Sequence, residues 1–132
     1  MSLITGNQLL AHLIGDYILQ SDYMATNKKD KILPCLLHIL TYIIPFLFLT
    51  LSPIALLVIA GTHFAIDHLG LPRHLVWAKN WILSPKVDRK TWQECALTGF
   101  SPDRPIWLTL WLLIIIDNTI HLVINGLAIR WL

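Results

Sequence analysis

Residues 32–66 read ILPCLLHILTYIIPFLFLTLSPIALLVIAGTHFAI, a run without a single Asp, Glu, Lys or Arg. A helix crossing a bilayer takes about 20 residues, so this run is too long for one crossing and long enough for two that meet in a tight turn. Ser52-Pro53 marks the turn, because proline opens helices well and disfavours helical geometry in the residue before it. The reading is one span over residues 32–51 and a second over 53–69. Pro45 falls inside the first and is expected to kink it, which neighbouring helices tolerate in a membrane.

Working outward, residues 105–128 form a further apolar stretch interrupted only by Asp117. Residues 3–20 are the weakest segment, carrying Gln8, His12 and Asp16, and read as a span with one wet face. The predicted fold is therefore all-α: a polytopic membrane protein with four transmembrane helices in a compact bundle, one domain over residues 1–132. Composition agrees. The 132 residues are 55% hydrophobic and 14% charged, with a mean hydropathy of +0.62, whereas a soluble domain is about 25% charged. Four spans of about 20 residues leave roughly 50 for everything else, which excludes a separate soluble catalytic domain. A disordered chain would be less apolar and a disulfide framework richer in cysteine than Cys35 and Cys95 allow. The net charge of +2 is too small to point to nucleic acid. The first basic residue is Lys28 and no small-residue cleavage site follows the first apolar segment, so that segment is expected to be retained rather than removed as a signal.

Orientation follows from charge. Lys28, Lys29 and Lys31 lie in the first loop, Arg73, Lys79, Lys86, Arg89, Lys90 and Arg104 in the third, and only Arg130 elsewhere. The positive-inside rule puts loops one and three in the cytoplasm and both termini outside, as in a bacterial inner-membrane protein. The third loop, residues 70–104, is the only sizeable non-spanning region. Pro72 is expected to open an interfacial helix with Leu75, Val76, Trp77, Trp81 and Ile82 toward lipid and Arg73, Lys79 and Asn80 toward water. Trp92 and Phe100 serve as further anchors, and His74, Asp88, Glu94 and Asp103 belong to a solvated face. Asp22 and Asp30 read as loop or capping residues.

Each span carries a histidine, and three pair it with an aspartate four positions away: His12 with Asp16, His63 with Asp67, and Asp117 with His121, while His38 stands alone in the second span. Spacing i, i+4 sets both side chains on one helical face. A carboxylate in hydrocarbon costs about 2.5–3.5 kcal/mol on insertion scales, so three of them call for a shared reason. Counting about 1.5 Å per residue from the helix ends puts Asp16 about 6 Å, His12 about 12 Å, His38 and His63 about 9 Å and Asp67 about 3 Å from the cytoplasmic side, with Asp117 and His121 about 18–24 Å deep. His121 fits the common band least well.

Neutral imidazoles with carboxylates form a ligand set for a divalent metal, zinc first, with manganese or iron as alternatives. The candidate metal residues are His12, Asp16, His38, His63, Asp67, Asp117 and His121, and the candidate catalytic residues are Asp16, Asp67 and Asp117. An aspartate outside the ligand set would orient a histidine or take a proton from water. The same residues could instead act as hydrogen-bonding glue between helices or as a path for protons or cations. His68 reads as glue or a snorkelling residue.

These motifs resemble a family of small, uncharacterised integral-membrane proteins of bacteria and phages. The resemblance is carried by His12-Leu13-Ile14-Gly15-Asp16-Tyr17-Ile18-Leu19-Gln20, continued by Ser21-Asp22-Tyr23-Met24-Ala25 and Asn27-Lys28. It goes on through His38, through His63 and Asp67, and through Asp117 and His121 in the last span, where Asn118 stands at a position that is Gln in the pattern. It implies the four-helix architecture and the grouping of the seven His and Asp residues, without an activity. The motifs are also distantly similar to those of membrane-bound metal-dependent hydrolases. The expected function is a metal-dependent hydrolase acting on a lipid or membrane-proximal substrate, with membrane lipids as partners and a homo-oligomer as a further possibility. The alternatives are a proton or metal-ion transport or sensing protein, and a non-enzymatic effector that binds a host membrane protein.

Overall fold

In the computed structural model, residues 2–132 are described and contain helices and turns but no strand. The chain divides into two compact units, Met1–Leu69 with Ile120–Leu132, and Gly70–Thr119. The division falls within the last helix.

The first unit opens with α1 (Gly6–Leu13). Thr5 caps it through a reciprocal box: Gln8 N–H donates to Thr5 Oγ1 and Thr5 N–H donates to Gln8 Oε1, which satisfies two amide donors that helix starts leave unpaired. Gln8, read above as part of a wet face, is thus buried and spent on the cap. The helix then widens into a π-helical turn over Ile14–Ile18, closed by Leu19 N–H donating to Ile14 O at 2.9 Å. Gly15 permits this. A Cβ there would lie 2.5 Å from Tyr42 Cδ2 and 3.2 Å from Tyr42 Cα, so only glycine lets the widened turn press against the next long helix. The plain α-helix expected over 3–20 gives way at the one place where backbones must nearly touch.

Ser21 caps the short α2 (Asp22–Asn27), and α3 (Ile32–Phe46) and α4 (Pro53–Leu69) form the hairpin expected around Ser52-Pro53. α3 does not run on to Leu51. After Pro45 the bonds tighten, with Leu47 N–H shared between Ile43 O and Ile44 O and Leu49 N–H reaching Phe46 O, and the helix ends rather than kinks. Ser52 Oγ then accepts from Ala55 N–H at 3.3 Å to start α4. The core of this unit is Ala11, Tyr42, Phe46, Ile59 and Ala128.

In the second unit, Gly70 takes the left-handed conformation (φ 60°) that begins α5 (Leu71–Leu83), followed by a 3-10 turn (Lys86–Asp88) and α6 (Trp92–Cys95). α5 differs from the expected interfacial helix. Val76 is fully buried, Trp77 donates its indole N–H to Lys90 O, and Arg73 donates to Ala96 O. Those side chains therefore serve the unit's own interior. Leu75, Trp81 and Ile82 do remain exposed. His74 is exposed and stacks on Trp92 at 4.1 Å between ring centroids, so Trp92 packs on its own unit.

The last helix, α7 (Ile106–Trp131), is long and apolar enough to cross a membrane. α3 and α4 have 15 and 17 residues, short of the about 20 that a straight crossing takes.

Candidate metal centre

Six of the seven predicted residues meet inside the first unit: His12 and Asp16 from α1 and its π turn, His38 from α3, His63 and Asp67 from α4, and His121 from α7. All six are buried, the histidines almost completely. His121, set apart by the depth count, joins the others with its ring centroid 4.2 Å from that of His63. Asp117 lies on α7 one turn before it and is half-buried.

The centre is the meeting of His38 Nε2 and His63 Nε2, 3.0 Å apart. Asp16 Oδ1 lies 3.3 Å from each nitrogen, and Asp67 Oδ2 lies 3.2 Å from each. Asp67 Oδ1 is 3.8 Å from His121 Nε2. A neutral imidazole nitrogen offers either one N–H or one lone pair, yet each Nε2 here faces three polar atoms. If both carry protons, two N–H groups oppose each other across 3.0 Å. If one does, its single N–H is shared among the partner nitrogen and two carboxylate oxygens, and if neither does, lone pairs face carboxylate oxygens. Asp16 Oδ1 is buried and makes no directed hydrogen bond, and neither does Nδ1 of His38 or His63. Leaving such groups unsatisfied costs about 1–3 kcal/mol each.

One positive charge at the shared point removes the conflict. Ligand atoms bound tetrahedrally at about 2.0–2.1 Å stand about 3.3–3.4 Å apart, close to the four His–Asp separations. The donor types suit zinc, with manganese and iron also compatible. Two buried triads, Asp16 with His38 and His63, and His63 with Asp67 and His121, have ligand atoms close enough to hold one ion.

His12 stands one step outside the triads. Its Nε2 is 3.4 Å from Asp16 Oδ2 and its Nδ1 is 2.8 Å from Tyr42 Oη, which accepts an amide N–H from Asn125 at 2.7 Å. With Tyr42 donating to Nδ1, His12 keeps its proton on Nε2 and presents it to Asp16. Asn125, Tyr42 and His12 thus form a chain that fixes the Asp16 carboxylate, the kind of support that groups around a metal receive. Lys28 enters from the first loop: its Nζ is 2.7 Å from Asp67 Oδ2 and 2.8 Å from Gln20 Oε1. His68 Nδ1 lies 2.9 Å from Lys28 O, pinning the lysine's backbone.

Tyr42, Asn125 and Lys28 were not among the predicted site residues. Tyr42 and Asn125 carry no motif, and only the approach of α1, α3 and α7 joins them. Lys28 had a signal, since it and Gln20 both fall within the first motif, but its charge reads as topological. Asn118 spends its amide on Ile114 O.

A compact centre built from separated His and Asp residues on packed helices is the class of site this fold defines. The family model "Protein of unknown function (DUF3307)" matches residues 4–91, and the chain belongs to that family. The match holds His12, Asp16, Lys28, His38, Tyr42, His63 and Asp67. Asp117, His121 and Asn125 lie beyond it. No curated protein and no solved structure matches the chain.

Proposed function

We propose that this protein is a membrane-embedded metal-dependent hydrolase whose divalent ion, zinc first, is held by His38 and His63 with Asp67 and His121 beside them. The observation that carries this reading is the 3.0 Å approach of two buried Nε2 atoms flanked by two buried carboxylate oxygens, a donor set that suits a divalent cation. A divalent ion supplies Lewis acidity there, making water acidic enough to attack near neutral pH. In this reading Asp16, held by His12, stays off the ion and takes the water's proton, although its separation from His38 and His63 would also let it ligate. Asp67 balances charge between the imidazoles and Lys28. Asp117, on the helix that carries His121, is a further carboxylate for the same chemistry.

The membrane part of the reading rests on an inside-out distribution. In the first unit His12, His38, His63, His121 and Asn125 are buried, while Ile18, Leu40, Phe48 and Leu57 are 73%, 68%, 87% and 74% exposed. Lipid is a solvent that accepts such a surface. The proposed topology keeps four spans, with loops one and three in the cytoplasm. Resistance of the membrane-bound protein to alkaline carbonate extraction tests insertion.

The experiment for the site is elemental analysis of detergent-purified full-length protein, wild type beside His63→Ala. Near-stoichiometric zinc, manganese or iron in the wild type and its loss in the variant is expected. A folded wild type without metal defeats the proposal. In that case the Asn125–Tyr42–His12–Asp16 chain favours proton transfer, which a vesicle flux assay under a pH gradient tests.

A further inference from the structure

Lys28 is the feature of the centre that a metal site by itself does not explain. Its ammonium and a cation at the imidazoles would share one oxygen, Asp67 Oδ2, and two cations on one carboxylate oxygen repel. Its side chain retains 16% exposure against 5% for Asp67, so the lysine lies nearer the exterior than the carboxylate it pairs with. The donors there are unmatched. An ammonium has three N–H bonds, and two are directed at Asp67 Oδ2 and Gln20 Oε1, leaving one. Gln20, by accepting from Lys28 through Oε1, turns its two amide N–H donors away from the lysine. Lys28 and Gln20 thus keep N–H donors unmatched beside the centre, which fits an oxyanion.

We propose that Lys28 and Gln20 bind the phosphoryl oxygens of a phosphate ester that this centre hydrolyses. This rests on the hydrolase reading above and narrows its substrate class. A phosphate ester carries its charge on the group that reacts, so donors that bind it also hold the reacting atom beside the metal. A carboxylic ester or an amide is neutral at its scissile group and leaves the net positive charge of a divalent ion and Lys28, beyond what Asp16 and Asp67 offset, unbalanced. In the reaction, the water oxygen bonds to phosphorus as the ester P–O bond breaks. Asp16 receives the proton of the attacking water and returns it to the departing alkoxide, which leaves as an alcohol.

The test loads detergent-solubilised full-length protein with cobalt(II) and follows its visible absorption bands. Glycerol 3-phosphate or short-chain dihexanoyl phosphatidylglycerol is then titrated in. The expected result is a band shift in the wild type that needs about tenfold more phosphate ester in Lys28→Gln, the effect of losing one charge-assisted hydrogen bond, and is largely restored in Lys28→Arg. A shift with both probes supports the proposal with a soluble source, and a shift with the lipid alone supports it with a lipid headgroup. Cobalt bands that neither probe moves, or that move equally in wild type and Lys28→Gln, overturn the proposal and leave the metal centre standing. Absence of cobalt bands in the folded wild type overturns both. Should Lys28→Gln lose its cobalt bands through misfolding, Gln20→Leu takes its place and is expected to weaken the same titration.

Discussion

In residues 2–69 and 120–132 the histidines and aspartates of the motifs are turned inward, packed ring against ring and oxygen against nitrogen, and large aliphatic side chains lie outside. In residues 70–105 of the second unit the carboxylates instead stay at the surface. Val76 and Cys95 are buried, while Asp88, Glu94 and Asp103 are exposed. Lys90 reaches Asp103 across the surface at 3.3 Å, and Arg89 lies over the Trp81 ring at 4.4 Å. The contrast shows what a buried ionisable group signifies. At the surface water screens each charge, and a pair such as Lys90–Asp103 contributes little. In the interior no water does so, and six buried groups persist only because something satisfies them together.

The sharpest test of this contrast exchanges one histidine in each unit. His38→Ala is expected to lower divalent-metal affinity about 100-fold or more, since it removes a ligand rather than a supporting partner. His74→Ala, which removes only the stack on Trp92, is expected to leave affinity unchanged; competition with a fluorescent chelator measures both. Equal losses would break the comparison.

Tyr42→Phe probes the supporting chain. It keeps the ring that packs 3.7 Å from His63 and removes the hydroxyl that joins Asn125 to His12. The expected loss of metal affinity is about 10-fold, the low end for partners behind a ligand, with the helical circular dichroism unchanged.

Gly15→Ala should cost about 1–3 kcal/mol, the usual range for overpacking, because the added methyl meets the Tyr42 backbone as well as its ring. Chemical denaturation reads the change, and a neutral result would mean that the π turn relaxes freely.

The smallest effect belongs to the second unit. Thr91 backbone N–H and Oγ1–H both donate to Glu94 Oε2, and these bonds hold the Glu94 carboxyl below its usual range. A depressed value means the cap stabilises α6 above the ordinary glutamate pKa of about 4.3 and is lost as pH falls through the lower folded value. Protection factors of the amides near residues 91–95, corrected for intrinsic exchange, should fall on that acid side, and Glu94→Gln should remove the dependence.

Much of the architecture was legible because hydrophobic runs and prolines act locally. The uncharged stretch 32–66 with Ser52-Pro53 inside it specifies a helical hairpin, and Pro72 announces α5. The i, i+4 His/Asp pairs announced the interior in the same way, since an ionisable residue in an apolar helix must face something other than hydrocarbon. The π turn at Gly15 was not legible, because its cause is the closeness of Tyr42, twenty-seven positions away in sequence. Nor was the split between amphipathic expectation and packing in α5, where Val76 and Trp77 turn inward for reasons that lie in residues 90–99.

The sequence alone indicated that the chain is helical, where α3, α4, α5 and α7 begin, and that His12, Asp16, His38, His63, Asp67, Asp117 and His121 belong together, since periodicity and the cost of burying charge are properties of single segments. Only the tertiary structure decided which of them touch. It brought His38 and His63 nose to nose, moved His12 behind Asp16, drew Lys28 in from a loop and enlisted Tyr42 and Asn125. Those choices depend on how four helices approach one another, and distances between helices are written in packing rather than in the spacing along any one of them.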